Sequence, residues 1–193
     1  EKVLIEAAIL QNSKQTENAD QLMDKLIKEN ENDYRVLHTA GWYYLGKNEL
    51  ATAMSYCKRS IILNKNYPDN YGFLMPEILK AMGKVDEGES YFRTALYKEP
   101  YNYNIMLTLS NYYWYTAKNS EKALEYFKLA EIVKPNDGEI KYNMALIHIT
   151  NDRLDEAMNI LRQCIKIDDA VPKYHRTLGT ILMIKGNLEE GIK

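Results

Sequence analysis

The chain has 193 residues, 46% of them hydrophobic and 27% charged, with a formal net charge of −2 and a pI near 6.0. That balance leaves no basic field for nucleic acid or for an anionic lipid surface. Sixteen tyrosines against three phenylalanines make the aromatic content unusual in kind, so tyrosine has to be followed along the chain.

The chain opens inside a helical pattern, Glu1-Lys2-Val3-Leu4-Ile5, and stops at Lys193 inside another, which reads as a piece of a longer protein. Residues 1–33 predict a helix over Lys2–Asn12 and a second over Glu17–Asn30. Residues 34–67 carry Leu37, Gly41 and Tyr44 on a first helix, then Ala53, Tyr56 and Cys57 on a second. Tyr67-Pro68-Asp69-Asn70 reads as a turn followed by N-cap residues. Residues 69–102 place Pro76 in the middle of a first helix. A proline there removes a hydrogen bond and costs about 3 kcal/mol or more, which predicts a kinked or shortened helix and a local change of pitch.

Residues 104–137 predict an apolar stripe from Leu107 to Trp114, a polar break at Lys118-Asn119-Ser120, and a second helix stopped by Pro135. Pro100 to Ala117 is uncharged, but its Asn, Ser and Thr content excludes a membrane span. Residues 138–171 carry Met144, Ala145 and His148, then Ala157, Leu161 and Cys164. Pro172 suits the first turn of a last helix holding Leu178, Gly179 and Leu182, and residues 172–193 read as a truncated hairpin. No linker, low-complexity tract or strand pattern interrupts the series.

The hairpins repeat. Small residues recur as Ala19, Ala53, Gly88, Ala123, Ala157 and Gly191, at intervals of 34, 35, 35, 34 and 34. Four positions on stand Met23, Cys57, Phe92, Phe127 and Leu161, and three further on Leu26, Ser60, Ala95, Ala130 and Cys164. Hairpins this small cannot bury their own apolar faces, so the columns predict an all-α solenoid of stacked antiparallel hairpins, a single array over 1–193. Cys57 and Cys164 fall in core columns three repeats apart. That placement favours reduced, buried thiols and a cytoplasmic compartment, whereas a periplasmic or cell-envelope location would require a removed signal.

These columns resemble the tetratricopeptide repeat. Leu37, Gly41, Tyr44 and Ala53 match its pattern, as do Phe92, Ala95 and Pro100, then Ala123, Phe127, Ala130 and Pro135, and finally Leu178-Gly179. The first hairpin matches least, through Ala7, Leu10 and Ala19. The resemblance implies a right-handed superhelix whose concave surface, lined by first helices, holds a peptide or a partner's helix. The family's carboxylate clamp of Lys, Asn and Arg is absent. Its positions read His38 and Trp42, Phe73 and Glu77, Thr108 and Tyr112, Tyr142 and Leu146.

On that frame Trp42, Phe73, Tyr112, Tyr115 and Tyr142 project onto the concave side, with His38 and Leu146 beside them. Glu77, Lys80 and Arg176 set register as rim charges. Tyr44, Tyr56, Tyr91 and Tyr126 are structural. Histidines 38, 148 and 175 have no metal-ligand spacing, and no nucleophile motif or phosphate-cradling glycine run occurs. His148 reads as a packed, hydrogen-bonded core residue. The sequence therefore predicts a non-catalytic interaction scaffold without cofactor or metal, binding a protein or peptide partner and no nucleic acid. Two other readings are a docking array of a larger enzyme, such as a glycosyltransferase or peptidase, and a cell-envelope assembly factor. Leu178, Ile181, Leu182 and Ile192 are expected to leave an apolar edge that favours self-association.

Overall fold

The structure, a computed structural model, describes residues 16–186. The helix expected over Lys2–Asn12 and the columns at Gly191 and Ile192 lie outside the described residues. Those described form helices and no strand, grouped in two compact units divided between Pro100 and Tyr101.

The first unit holds α1 (Thr16–Glu29), α2 (Tyr34–Gly46), α3 (Leu50–Leu63), α4 (Met75–Ala81) and α5 (Val85–Lys98). A π-helical turn at Asn70–Leu74 leads without a break into α4. Helices α2 and α3 pair as a hairpin, as do α4 and α5. Ala19 and Met23 on α1 pack with Val36, Ala40 and Tyr43 on α2. Ala53 and Cys57 on α3 pack with Leu74, Met75, Ile78 and Leu79. Gly41 allows α2 to approach the π turn of the next hairpin closely, because a Cβ there would lie 2.7 Å from Leu74 Cδ2.

The second unit holds α6 (Tyr103–Asn111), which runs into a π-helical turn at Tyr112–Thr116, then α7 (Ser120–Val133), α8 (Gly138–Thr150), α9 (Leu154–Ile167) and α10 (Pro172–Ile184). Ala123, Phe127 and Ala130 are fully buried, as are Ala157, Leu161 and Cys164, so the columns set by period are the core. Asn102, Asn119 and Asp137 cap α6, α7 and α8 by accepting N–H bonds from the first turn. The expected apolar edge is not open at Ile181 and Leu182. Both are buried with Ala157, Met158 and Leu161, and Leu178 packs against that cluster.

The 34- and 35-residue periods have a structural cause. Among the described residues, each hairpin turn has one residue in the left-handed region: Asn48, Gly83, Lys118, Asp152 and Gly186. From N-cap to that residue is 15 positions for Asp33 to Asn48, Asp137 to Asp152 and Val171 to Gly186, but 16 for Asn102 to Lys118. The third hairpin is also 16 positions, counted from Tyr67, which follows the Asn64 cap of α3 as Asn102 follows the Glu99 cap of α5. Among the described residues, these two long first helices are the two that contain π turns. In each, one N–H reaches back five residues instead of four: Met75 to Asn70 O, and Ala117 to Tyr112 O. The extra residue is absorbed as a bulge, and the hairpin partners keep register.

In the third hairpin the bulge ends where Pro76 begins. The missing N–H falls where the hydrogen-bond register changes, and the α-helical part shortens to seven residues. Asn70 is not the N-cap that its sequence position implies: it lies inside the π turn, and its side chain bonds to His38 and Ser60.

Candidate partner-binding face

In the first unit the exposed column of α2 is built on a polar relay. The Trp42 indole N–H donates to His38 Nε2 at 3.1 Å, which leaves His38 Nδ1 as the donor toward Asn70 Oδ1 at 2.8 Å. Asn70 Nδ2 donates to Ser60 Oγ at 2.8 Å, and Ser60 donates to the Tyr34 carbonyl at 2.7 Å. Every donor meets an acceptor in one tautomer of His38. Tyr67 stands edge-on to His38, centroids 5.1 Å apart, and edge-on to Tyr34 at 5.0 Å. Burial lowers the His38 pKa, against the raising effects of Asn70 and Asp69, so the ring is neutral at pH 7. Trp42 is thereby held in one orientation while 38% exposed. Phe73 and Glu77 follow on the next first helix, both half-buried, and Glu77 pairs with the exposed Lys80 at 2.6 Å.

The sequence carries a signal for this relay. Ser60 occupies a column that elsewhere holds Ala95, Ala130 and Cys164, and Asn70 occupies one that holds Val36, Ile105 and Ile140. Two polar residues in apolar columns one hairpin apart are the mark of a buried pair.

In the second unit, Tyr142 on α8 meets Thr177 Oγ1 on α10 through its hydroxyl at 3.1 Å, and its ring lies 5.4 Å from that of Tyr174. Lys173 Nζ sits 4.7 Å over the Tyr142 ring and pairs with Glu139, which raises its pKa. Gly138 makes room for Tyr174, since a Cβ there would lie 2.7 Å from the Tyr174 hydroxyl. Leu146 is half-buried and Arg176 exposed. Tyr115 is 56% exposed and lies tilted against Trp114, centroids 4.4 Å apart.

Tyr112 does not project onto the exposed side as the sequence predicts. It is only 7% exposed and packs edge-on against Tyr113, as Tyr43 packs against Tyr44. Counting back from the second helix places Tyr112 opposite Trp42 because the bulge lies between the two. Counting forward from the N-caps places Asn111 there, and Leu107 in the His38 column.

Burial pushes the Cys57 thiol up to about 12 and the Cys164 thiol to about 11, so neither is a nucleophile. Among the described residues no three His, Cys, Asp or Glu side chains group to hold a metal ion. His148 differs from expectation: it is half-buried, and its Nδ1 has no hydrogen-bond partner. No described helix is long and apolar enough to cross a membrane.

The family described as the tetratricopeptide repeat matches residues 138–170, which span the α8–α9 hairpin. Several solved structures share the fold. TTC0263, a thermophilic tetratricopeptide-repeat protein of Thermus thermophilus, is 18% identical, covering 94% of this chain and 98% of that one with a TM-score of 0.65. PilW, a widely conserved type IV pilus biogenesis factor, is 12% identical over 98% of this chain and 87% of its own, with a TM-score of 0.73. YrrB, a tetratricopeptide-repeat protein with an unusual peptide-binding site, is 20% identical over 88% and 86%, with a TM-score of 0.63. No curated protein matches the sequence. The chain has the tetratricopeptide-repeat fold, and residues 138–170 match that repeat in sequence.

Proposed function

We propose that the chain is a protein-interaction scaffold whose first helices grip a peptide or partner segment. The observation that carries this reading is Trp42, a large amphipathic side chain held by His38 yet 38% exposed. A pre-oriented aromatic loses little entropy on binding, which is what an interface anchor requires. In the first unit, Phe73, half-buried on the next first helix, joins Trp42, with Glu77 and Lys80 as rim charges. In the second, Leu107, Asn111, Tyr142, Leu146 and Arg176 form the corresponding face, and Tyr115 adds an exposed ring.

Selection of phage-displayed peptides on the full chain tests the reading. Enriched peptides should bind in solution and lose tenfold or more in affinity with W42A, at unchanged helicity. Peptides that bind W42A as well as the wild type would overturn it. A docking array of a larger enzyme or a cell-envelope assembly factor would use the same face.

A further inference from the structure

The geometry points to His38 as a pH-sensitive latch on Trp42: the neutral ring holds the indole in place, and protonation of Nε2 releases it. The inference rests on the binding reading only for its consequence, not for its chemistry. His38 has one hydrogen-bonding role at each nitrogen. Nδ1 is committed as a donor to Asn70 Oδ1, because Asn70 Nδ2 is itself committed to Ser60. Nε2 is therefore the lone-pair nitrogen, and it accepts from Trp42. A proton arriving there sets two N–H groups against each other at 3.1 Å, so the bond cannot persist. The remainder of the relay is untouched, because Nδ1 remains a donor. The change is confined to Trp42.

The surrounding charges leave His38 as the group that switches. Asp69 and Tyr67 face it from the loop before the π turn, and burial, with a hydrogen bond from the Tyr67 hydroxyl to Asp69, pushes the phenol to about 12. From α3, Cys57 approaches Asn70 with a thiol raised to about 12. At the start of α2, Asp33 and Arg35 pair with each other. From α1, Asp20 and Asp24 bond to Tyr43 and Tyr44 instead, and on α4 Glu77 pairs with Lys80. The Tyr67 phenol and the Cys57 thiol, both raised by burial, stay uncharged between pH 8 and 5. Burial lowers the His38 pKa, so release falls below the ordinary value of 6.5.

The test is a pH titration of the 15N-labelled full chain from pH 8 to 5, with the indole resonances assigned by W42F. The Trp42 indole N–H should move with the same midpoint as the His38 ring nitrogens, that of Trp114 should not follow, and H38Q should leave Trp42 flat. A Trp42 signal that stays fixed while His38 titrates overturns the latch, as does a His38 that never protonates while the protein is folded. If H38Q fails to fold, the wild-type titration decides alone. Peptides selected through Trp42 should bind at least threefold more weakly at pH 5.5 than at 7.5. If the indole moves with His38 and no peptide depends on Trp42, the latch stands and the binding reading falls.

Discussion

Tyr113 stacks on Tyr126 with ring centroids 5.5 Å apart and 12° between the planes, nearly the same as the 5.4 Å and 11° of Tyr44 on Tyr56. The two pairs occupy the same place in their hairpins, yet the chain behind them differs. Glu49 N–H bonds back five residues to Tyr44 O, whereas Asn119 N–H bonds back six to Tyr113 O. The extra residue of the fourth hairpin therefore lies between Tyr113 and Asn119, and the stacked pair holds the hairpin in register around it.

Removing that residue should be tolerated. Deleting Thr116 lets the π turn close into an α turn and leaves the Tyr113–Tyr126 stack intact. Urea unfolding should place this deletion within about 1 kcal/mol of the wild type. Deleting Leu45, in a hairpin with no residue to spare, should cost about 3 kcal/mol or more. Equal losses from the two deletions would show that the bulge is not a simple insertion.

Most of the core was legible because it depends on period. Ala53, Cys57, Phe92, Ala123, Phe127, Ala157 and Leu161 are all buried where their intervals put them. Pro76 was legible as a helix irregularity because one missing N–H has local consequences. The alternation of 34 and 35 residues was visible too, but an interval does not say where within a hairpin its extra residue sits. That ambiguity of one position moves Tyr112 from the core to the predicted binding face. The polar relay escaped because its members are 32 and 10 residues apart and belong to no motif. Its trace is the pair of polar intrusions at Ser60 and Asn70.

Asn70 is the member of that relay most costly to lose. It is fully buried and bonds to both His38 and Ser60. N70A should lower stability by about 2–3 kcal/mol in denaturant unfolding, because the His38 and Ser60 groups lose their buried partner. S60A should cost less, about 1 kcal/mol, since alanine is what the column holds in the next two hairpins. An N70A variant as stable as S60A would show that the relay is solvated in solution.

Asp137 combines a cap with a side-chain bridge. It accepts the N–H groups of Glu139 and Ile140 at 2.9 and 3.2 Å and the Tyr103 hydroxyl at 2.7 Å. Burial raises its pKa, but these bonds together outweigh burial and lower it below 3.8. D137A should cost about 1–2 kcal/mol at pH 7. A carboxylate with a depressed pKa contributes stability above its unfolded value and loses it as pH falls through the folded value. The difference between wild type and D137A should therefore persist to about pH 4 and shrink only below it. A difference already lost at pH 5 would remove the carboxylate from the account.

His38 has the opposite sense from a histidine that gains a partner on protonation. Its pKa is lowered by burial in the folded state, so the unfolded chain binds a proton more readily. Above the ordinary value of 6.5 both states are neutral and the ring contributes no pH dependence. As pH falls below that value the unfolded state protonates first, and stability declines until the folded ring protonates too. Glutamine at this position cannot titrate, so H38Q should have a lower but flatter profile of unfolding free energy between pH 7 and 5. Subtracting the two profiles removes the carboxylates they share. A wild-type curve parallel to that of H38Q through this window would mean that the His38 pKa is unshifted. One that rises on acidification relative to H38Q would reverse its sign.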